Sequence, residues 1–257
     1  GLVDTKLLPP IFPTVWTSEW GEDELGLYLD LDYQNVTQRF RWIAPGTFLM
    51  GSPETQHAVT LTQGFWLADS ACTQALWQAV MGENPAYFQD SLDHPVEYVN
   101  WDDVQSFIQA LNTQLPDLHA RLPTEAEWEY ACRAGTTTPF SFGETITPEQ
   151  VNYDPHAGRE KERYREKTVP VKSLPPNPWG LYEMHGNVWE WCSDWYGAYP
   201  TAAVTDPLGP ATGGSRVLRG GSWNGYAGRI RSAYRLNIVP THRFIIIGFR
   251  LVLGPAG

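Results

Sequence analysis

The reactive sulfur and imidazole groups of this sequence are three cysteines, Cys72, Cys132 and Cys192, and six histidines, His57, His94, His119, His156, His185 and His242. Their spacing assembles no centre by itself. A zinc site would use Cys-x-x-Cys or clustered His pairs, and neither occurs. A serine nucleophile would sit in a Gly-x-Ser-x-Gly elbow, which is also absent. Few, widely separated cysteines in odd number read as free thiols, so a reducing, cytoplasmic location is expected. His185, inside EMHGN, reads as a hydrogen-bonded structural residue rather than a base.

The elements that must position any site are legible in part. With 257 residues, 42% of them hydrophobic and 18% charged, the chain can bury a large core without disulfides. Gly 23 and Pro 21 imply many turns. Residues 1–24, rich in Pro and acidic groups, are expected to pack over the surface as an extension. Partial alternation over residues 25–43 predicts a hairpin, with its second strand starting near Asn35. Thr73 caps a predicted helix that runs to Met81 and stops at Gly82. Asn100 precedes a second helix, with Asp103 in its first turn and an apolar stripe of Val104, Phe107, Ile108 and Leu111. Thr124 and Glu127 form a capping box for a third, through about Arg133. Loops and short strands follow, among them the mixed-charge run EKERYREK at residues 160–167, read as a solvated loop. The expectation is one α+β domain, low in regular structure. A net charge of -11 argues against a nucleic-acid partner, which demands a basic surface. No apolar run approaches the ~20 residues of a membrane span, and the N-terminus has no signal-peptide pattern.

Several ordered motifs then make the sequence recognisable: PGTFLMGS (residues 45–52), RLPTEAEWEYACRAG (121–135), WGLYEMHGNVWEWCSDWYG (179–197), RVLRGGSW (216–223) and GFRLV (248–252). Together they resemble the formylglycine-generating-enzyme family of sulfatase modifiers. That resemblance implies a C-type-lectin-like fold over residues 25–257. Trp189, Trp191 and Trp195 are expected in the core.

Enzymes of that family hold copper with two cysteines after the GGS motif, a soft-ligand arrangement suited to Cu(I). The matching positions here are Gly225 and Ile230, so copper is not expected. The iron motif HxxxHxE of a related branch is missing too, so neither is iron. Structural calcium is implied by resemblance, with Glu183, Glu190 and the carbonyls of Gly186 and Val188 as one ligand set. Asn152 and the Tyr153 carbonyl are a second. Oxygen ligands of this kind suit a hard cation.

Residues 224–247, NGYAGRIRSAYRLNIVPTHRFIII, depart from the pattern of the motifs on either side. They resemble the variable region of proteins diversified by retroelements, which copy a template with errors at adenines. Randomising the adenines of AAC or AAT cannot produce Lys, Glu, Gln, Met or Trp, and none of those five occurs in this stretch. The candidate ligand-binding residues are Gly225, Tyr226, Gly228, Arg229, Ile230, Tyr234, Leu236, Asn237, Ile238, Val239, Thr241, His242, Phe244, Ile245 and Ile246; all but Ile230, Tyr234 and Asn237 are expected to be largely exposed and clustered on one face. Phe244 to Ile247 also read as a buried strand, with Ile247 its foremost core candidate. The expectation is a ligand-binding protein without catalysis, whose mixture of Arg, Tyr and aliphatic side chains suits a protein ligand. An enzyme of the same superfamily with an unrecognised substrate and an undiversified interaction domain are the alternatives.

Overall fold

A computed structural model describes residues 7–155 and 163–254. The first six residues of the expected extension, His156 and the start of the mixed-charge run lie outside the described residues. In chain order the elements are β1 (Thr17–Asp23), β2 (Gly26–Tyr33), β3 (Val36–Ile43), β4 (Gly46–Met50), β5 (His57–Leu61), β6 (Phe65–Ala68), α1 (Gln74–Met81), α2 (Trp101–Gln114), β7 (Ala120–Arg121), α3 (Glu125–Arg133), β8 (Trp189–Trp195), β9 (Val204–Thr205), β10 (Arg216–Arg219), β11 (Arg235–Ile238), β12 (Ile247–Gly248) and β13 (Val252–Leu253). The mixture is α+β, as expected.

The β2–β3 hairpin closes through Gln34 and Asn35, both at positive φ (50° and 63°), the two-residue turn whose twist matches paired strands. Asp23 accepts the Leu25 N–H at 2.9 Å in the preceding turn, and β1 pairs with β2 from Thr17 to Asp23. The boundary expected at residue 24 therefore falls inside a hairpin turn. The acidic stretch before it is an edge strand of the sheet. Its charges suit an edge that must not pair further.

The helices start where their caps place them. Thr73 accepts the Leu76 N–H and Gly82 ends α1 at φ 82°. Asn100 with Asp103, and Thr124 with Glu127, form full capping boxes for α2 and α3. The stripe Val104, Phe107, Ile108 and Leu111 is buried. It packs in the larger core with Leu29, Leu31 and Phe40 of the first sheet and Trp189 and Trp191 of β8. Each such side chain contributes roughly 1.5–3 kcal/mol by leaving water. Trp195 is only half-buried, a correction to the expected tryptophan core: Arg216 lies 3.5 Å from its ring centroid and 3.8 Å from that of Trp101. The guanidinium is stacked between the two indoles.

The three sheets have strand orders β1-β2-β3-β6-β13-β7, β11-β10-β8-β12 and β4-β5-β9. Two late elements return to the interior. β12 runs parallel to β8, and β13 inserts between β6 and β7. Residues 224–246 are thus a loop with one short edge strand, bracketed by β10 on one side and β12 on the other.

A candidate ligand-binding surface

The turn out of β10 fixes where this segment begins. Gly220 and Gly221 have φ of 95° and 75°, and a Cβ there would lie 2.9 Å from the Met184 carbonyl and from Ile230 Cγ1 respectively. Only glycine permits that approach. Ala227–Arg229 then form one 3-10 turn, and β11 pairs antiparallel with β10.

After β11 the backbone is held by groups outside the segment. The Trp101 N–H donates to the Pro240 carbonyl at 3.0 Å, the Tyr98 N–H to Phe244 at 3.1 Å and the Trp189 N–H to Ile246 at 2.7 Å. Asn100 Nδ2 reaches the Thr241 carbonyl and Trp223 Nε1 the Ile245 carbonyl. Carbonyl acceptors are common to every residue type, so these five bonds do not depend on which side chains the segment carries.

The side chains fall into two groups. Tyr226, Val239 and Phe244 are 47%, 44% and 44% exposed, and Arg229, Asn237, Thr241 and His242 are exposed with them. Gly228, Tyr234, Leu236, Ile238, Ile245 and Ile246 are half-buried, and four of these, Tyr234, Leu236, Ile238 and Ile246, rest on the main core. Gly225 and Ile230 are buried, which corrects the expected exposure of Gly225 and the expected ligand-facing place of Ile230. Ile230 follows the 3-10 turn inward and packs with Phe140, Ile146, Val151 and Tyr153. The Gly225 carbonyl accepts the Asp154 N–H. Ile247 is core. Tyr98, which the sequence reading missed, stands beside this face, 45% exposed and at φ 63°. That conformation is unusual for a bulky residue.

Beneath the surface lies an ionic framework. Arg219, fully buried, pairs with Glu125 at 2.9 Å and with Glu129. Arg235 grips Glu125 through Nε and Nη2, and Arg133 pairs with Glu129 at 2.9 Å. Burial alone would raise the Glu125 pKa, but Arg219 and Arg235 hold it below the ordinary value. An open depression of about 810 Å³ lies beside this framework, with Glu54, Tyr196, Tyr199, Arg231 and Tyr234 in its lining. Three distant stretches of sequence supply its walls, and no local pattern announces that.

The expected calcium ligands are otherwise engaged. Both Glu190 oxygens accept from Arg250 at 2.8 Å, and one also accepts from Trp128 Nε1 at 2.8 Å. A guanidinium supplies the positive charge that the ion would have supplied. Glu183 accepts the Lys172 and Leu174 N–H groups, and burial pushes its pKa up to about 7. Gly186 is buried, its N–H donating to the Gly220 carbonyl, and Val188 is packed in the interior. Both carboxylates of this set are therefore committed to protein partners. The second set fits better in one atom: Asn152 Oδ1 is buried without a hydrogen-bond partner, while Asn152 Nδ2 donates to Lys167 and Asn187. The neighbouring Tyr153 is buried in the small cluster around Ile230. Among the described residues no group of three or more His, Cys, Asp or Glu is arranged around a metal.

All three cysteines are buried and free, and burial pushes their thiol pKa values up, for Cys132 to about 12. Thiols so protonated are poor nucleophiles and poor metal ligands. Burial lowers the pKa of His185 to about 4. Its Nδ1–H donates to the Ile230 carbonyl at 2.7 Å and its Nε2 accepts the Ser141 N–H. It is a structural residue. Among the described residues no helix is long and apolar enough to cross a membrane.

Comparison with known proteins places this geometry. Residues 30–254 match the family described as sulfatase-modifying factor enzyme 1-like domain. The formylglycine-generating enzyme of Thermomonospora curvata is 33% identical over 87% of this chain and 75% of its own length. That of Streptomyces coelicolor is 39% identical over 62% of this chain and 52% of its own, so the chain spans about half the length of that relative. Among solved structures, Treponema denticola variable protein 1 superposes with a TM-score of 0.80 at 31% identity, covering 89% of this chain and 99% of that one.

Proposed function

We propose, on the premise that the chain belongs to the sulfatase-modifying factor enzyme 1-like domain family, that it is a ligand-binding member whose C-terminal surface is diversified and does no chemistry. The observation that carries this reading is the separation of backbone from side chain in residues 224–246. Five bonds from outside the segment end on its carbonyls between Pro240 and Ile246 and the Asp154 N–H on that of Gly225, while Tyr226, Arg229, Val239, His242 and Phe244 face solvent. A fixed path with free side chains is what a displayed, variable binding surface requires. The likeness to a variable protein over nearly its whole length supports the same reading.

Tyr, Arg and aliphatic groups at the surface favour a protein ligand, since these are the usual anchors of protein interfaces. Structural calcium remains part of this proposal only at Asn152 and Tyr153. The enzyme reading is favoured by the activity named for the relatives and by the open depression. Against it stand Gly225 and Ile230, where the copper-holding thiols of the resembled enzymes would be. An anaerobic Cu(I) titration followed by an oxidation assay on a cysteine peptide separates the two readings. Turnover with stoichiometric copper would return the chain to the enzymes, and a folded library at the exposed positions of residues 224–246 would support display.

A further inference from the structure

All 29 acidic residues of the chain lie at or before Asp206, while seven arginines follow it and no Asp or Glu does. Where those seven point decides what they are for. Arg219, Arg235, Arg243 and Arg250 are matched by carboxylates from Glu125, Glu129, Asp103 and Glu190. Arg216 is stacked between two indoles. Two remain. Arg229 lies exposed over the Tyr226 ring at 5.1 Å, and Arg231 donates through Nε to the Gly228 carbonyl at 3.0 Å. Neither has a carboxylate partner among the described residues. Arg231 and Tyr234 line the depression of about 810 Å³, facing it together with Tyr196 and Tyr199.

We infer that this corner is a carboxylate subsite: Arg231 takes an Asp or Glu side chain of the ligand, with the tyrosine rings receiving the apolar residues beside it. The inference rests on the ligand-binding reading above and narrows it. A guanidinium whose Nε is already fixed presents its two terminal nitrogens as a fork that matches a carboxylate. Tyrosine supplies contact area at low entropic cost. Arg231 is also outside the candidate diversified positions, whereas Arg229 is among them. The diversified face is therefore not neutral towards its ligands. Whatever residues surround it, a fixed cation selects for partners that bring an acid. The ligand is a protein segment with one or two carboxylates rather than a polyanion, because a body of net charge -11 repels a dense negative strand and two cations release few counterions.

A displayed random-peptide library panned against the full chain tests this. Recovered peptides are expected to be enriched in Asp or Glu next to apolar residues. A Glu-to-Gln copy of such a peptide should bind about tenfold more weakly, as should the original on Arg231→Gln, with Arg231→Lys intermediate. Thermal melts confirm that the variants fold, and if Arg231→Gln does not, Arg231→Lys and the Gln peptides carry the comparison. Neutral peptides whose binding falls with Tyr226→Ala and Phe244→Ala would overturn the carboxylate subsite and leave the binding surface standing. Peptides indifferent to all four substitutions, or no peptides at all, would overturn both. Competition by a random-sequence oligonucleotide would overturn the subsite in favour of a phosphate ligand.

Discussion

Arg219, Arg235 and Arg250 belong to the same C-terminal stretch as Tyr226, Val239 and Phe244, and the two sets are held in opposite ways. The arginines are fixed by their side chains: Glu125, Glu129 and Glu190 reach them across the fold, and burial makes each pair depend on its partner. The exposed set is fixed by its backbone: carbonyls of residues 240–246 are bonded to Trp101, Asn100, Tyr98, Trp223 and Trp189, and that of Gly225, beside Tyr226, to the Asp154 N–H. One region specifies residue types strictly and the other leaves them open, although both lie within about thirty residues of β10. Tolerance to change is thus a matter of which atoms do the holding, not of distance from the core.

The sharpest way to break this comparison is at the strict end. Glu190→Gln leaves the Arg250 guanidinium buried without its counter-charge, and an uncompensated buried charge costs about 3–5 kcal/mol. Denaturant unfolding should register that loss equally with and without added calcium. A loss that disappears in chelator would return Glu190 to the metal ligands.

Next in size is Ile230, which lies inside the tolerant sequence but is packed like the strict one. Ile230→Ala should cost about 2–5 kcal/mol through the lost contacts and the cavity left among Phe140, Val151 and Tyr153. A shift in melting temperature no larger than that of Val239→Ala would put Ile230 among the display positions.

A smaller, pH-dependent effect distinguishes the turn that carries the motifs. Burial raises the Glu183 carboxyl from the usual 4.5 to about 7 in the folded chain. The unfolded chain therefore releases its proton first, and stability from this group is present below pH ~4.5 and lost as pH rises through about 7. Glu183→Gln should flatten that decline: relative to the parent it gains stability between pH 5 and pH 8. Parallel stability–pH curves for the two proteins would remove Glu183 from the account.

The smallest effects belong to the exposed positions. Substitutions at Tyr226, Arg229, Val239, Thr241, His242 and Phe244 should each move stability by no more than ~0.5 kcal/mol. Melting of a combined library measures it, and broad failure to fold would show that the backbone bonds do not suffice.

Much of this was legible before any coordinates. Helix caps are local signals, so Thr73, Asn100 and Thr124 announced α1, α2 and α3. The motif order announced the family, and residues 224–246 stood out as a departure from the motifs around them. What failed was non-local. Nothing near Glu190 reveals that Arg250, sixty positions on, pairs with both of its oxygens. Ile230 reads like its neighbours because one 3-10 turn decides its direction. Tyr196 and Arg231 meet in the depression only because β8, β10 and β11 lie side by side. The acid-free stretch after Asp206 was visible in the sequence, but which of its arginines would remain uncompensated was not.

The insertion of β13 between β6 and β7 bears on how such a protein is made. The ribosome completes residues 224–246 before it reaches Val252 and Leu253, so the larger sheet cannot close until that stretch has been translated in frame. A frameshift or stop codon within residues 224–246 leaves β6 and β7 without the strand that joins them. Such chains are substrates for proteolysis rather than partners for a ligand. The last strand of the fold thus makes closure of the larger sheet conditional on a complete reading of the stretch before it.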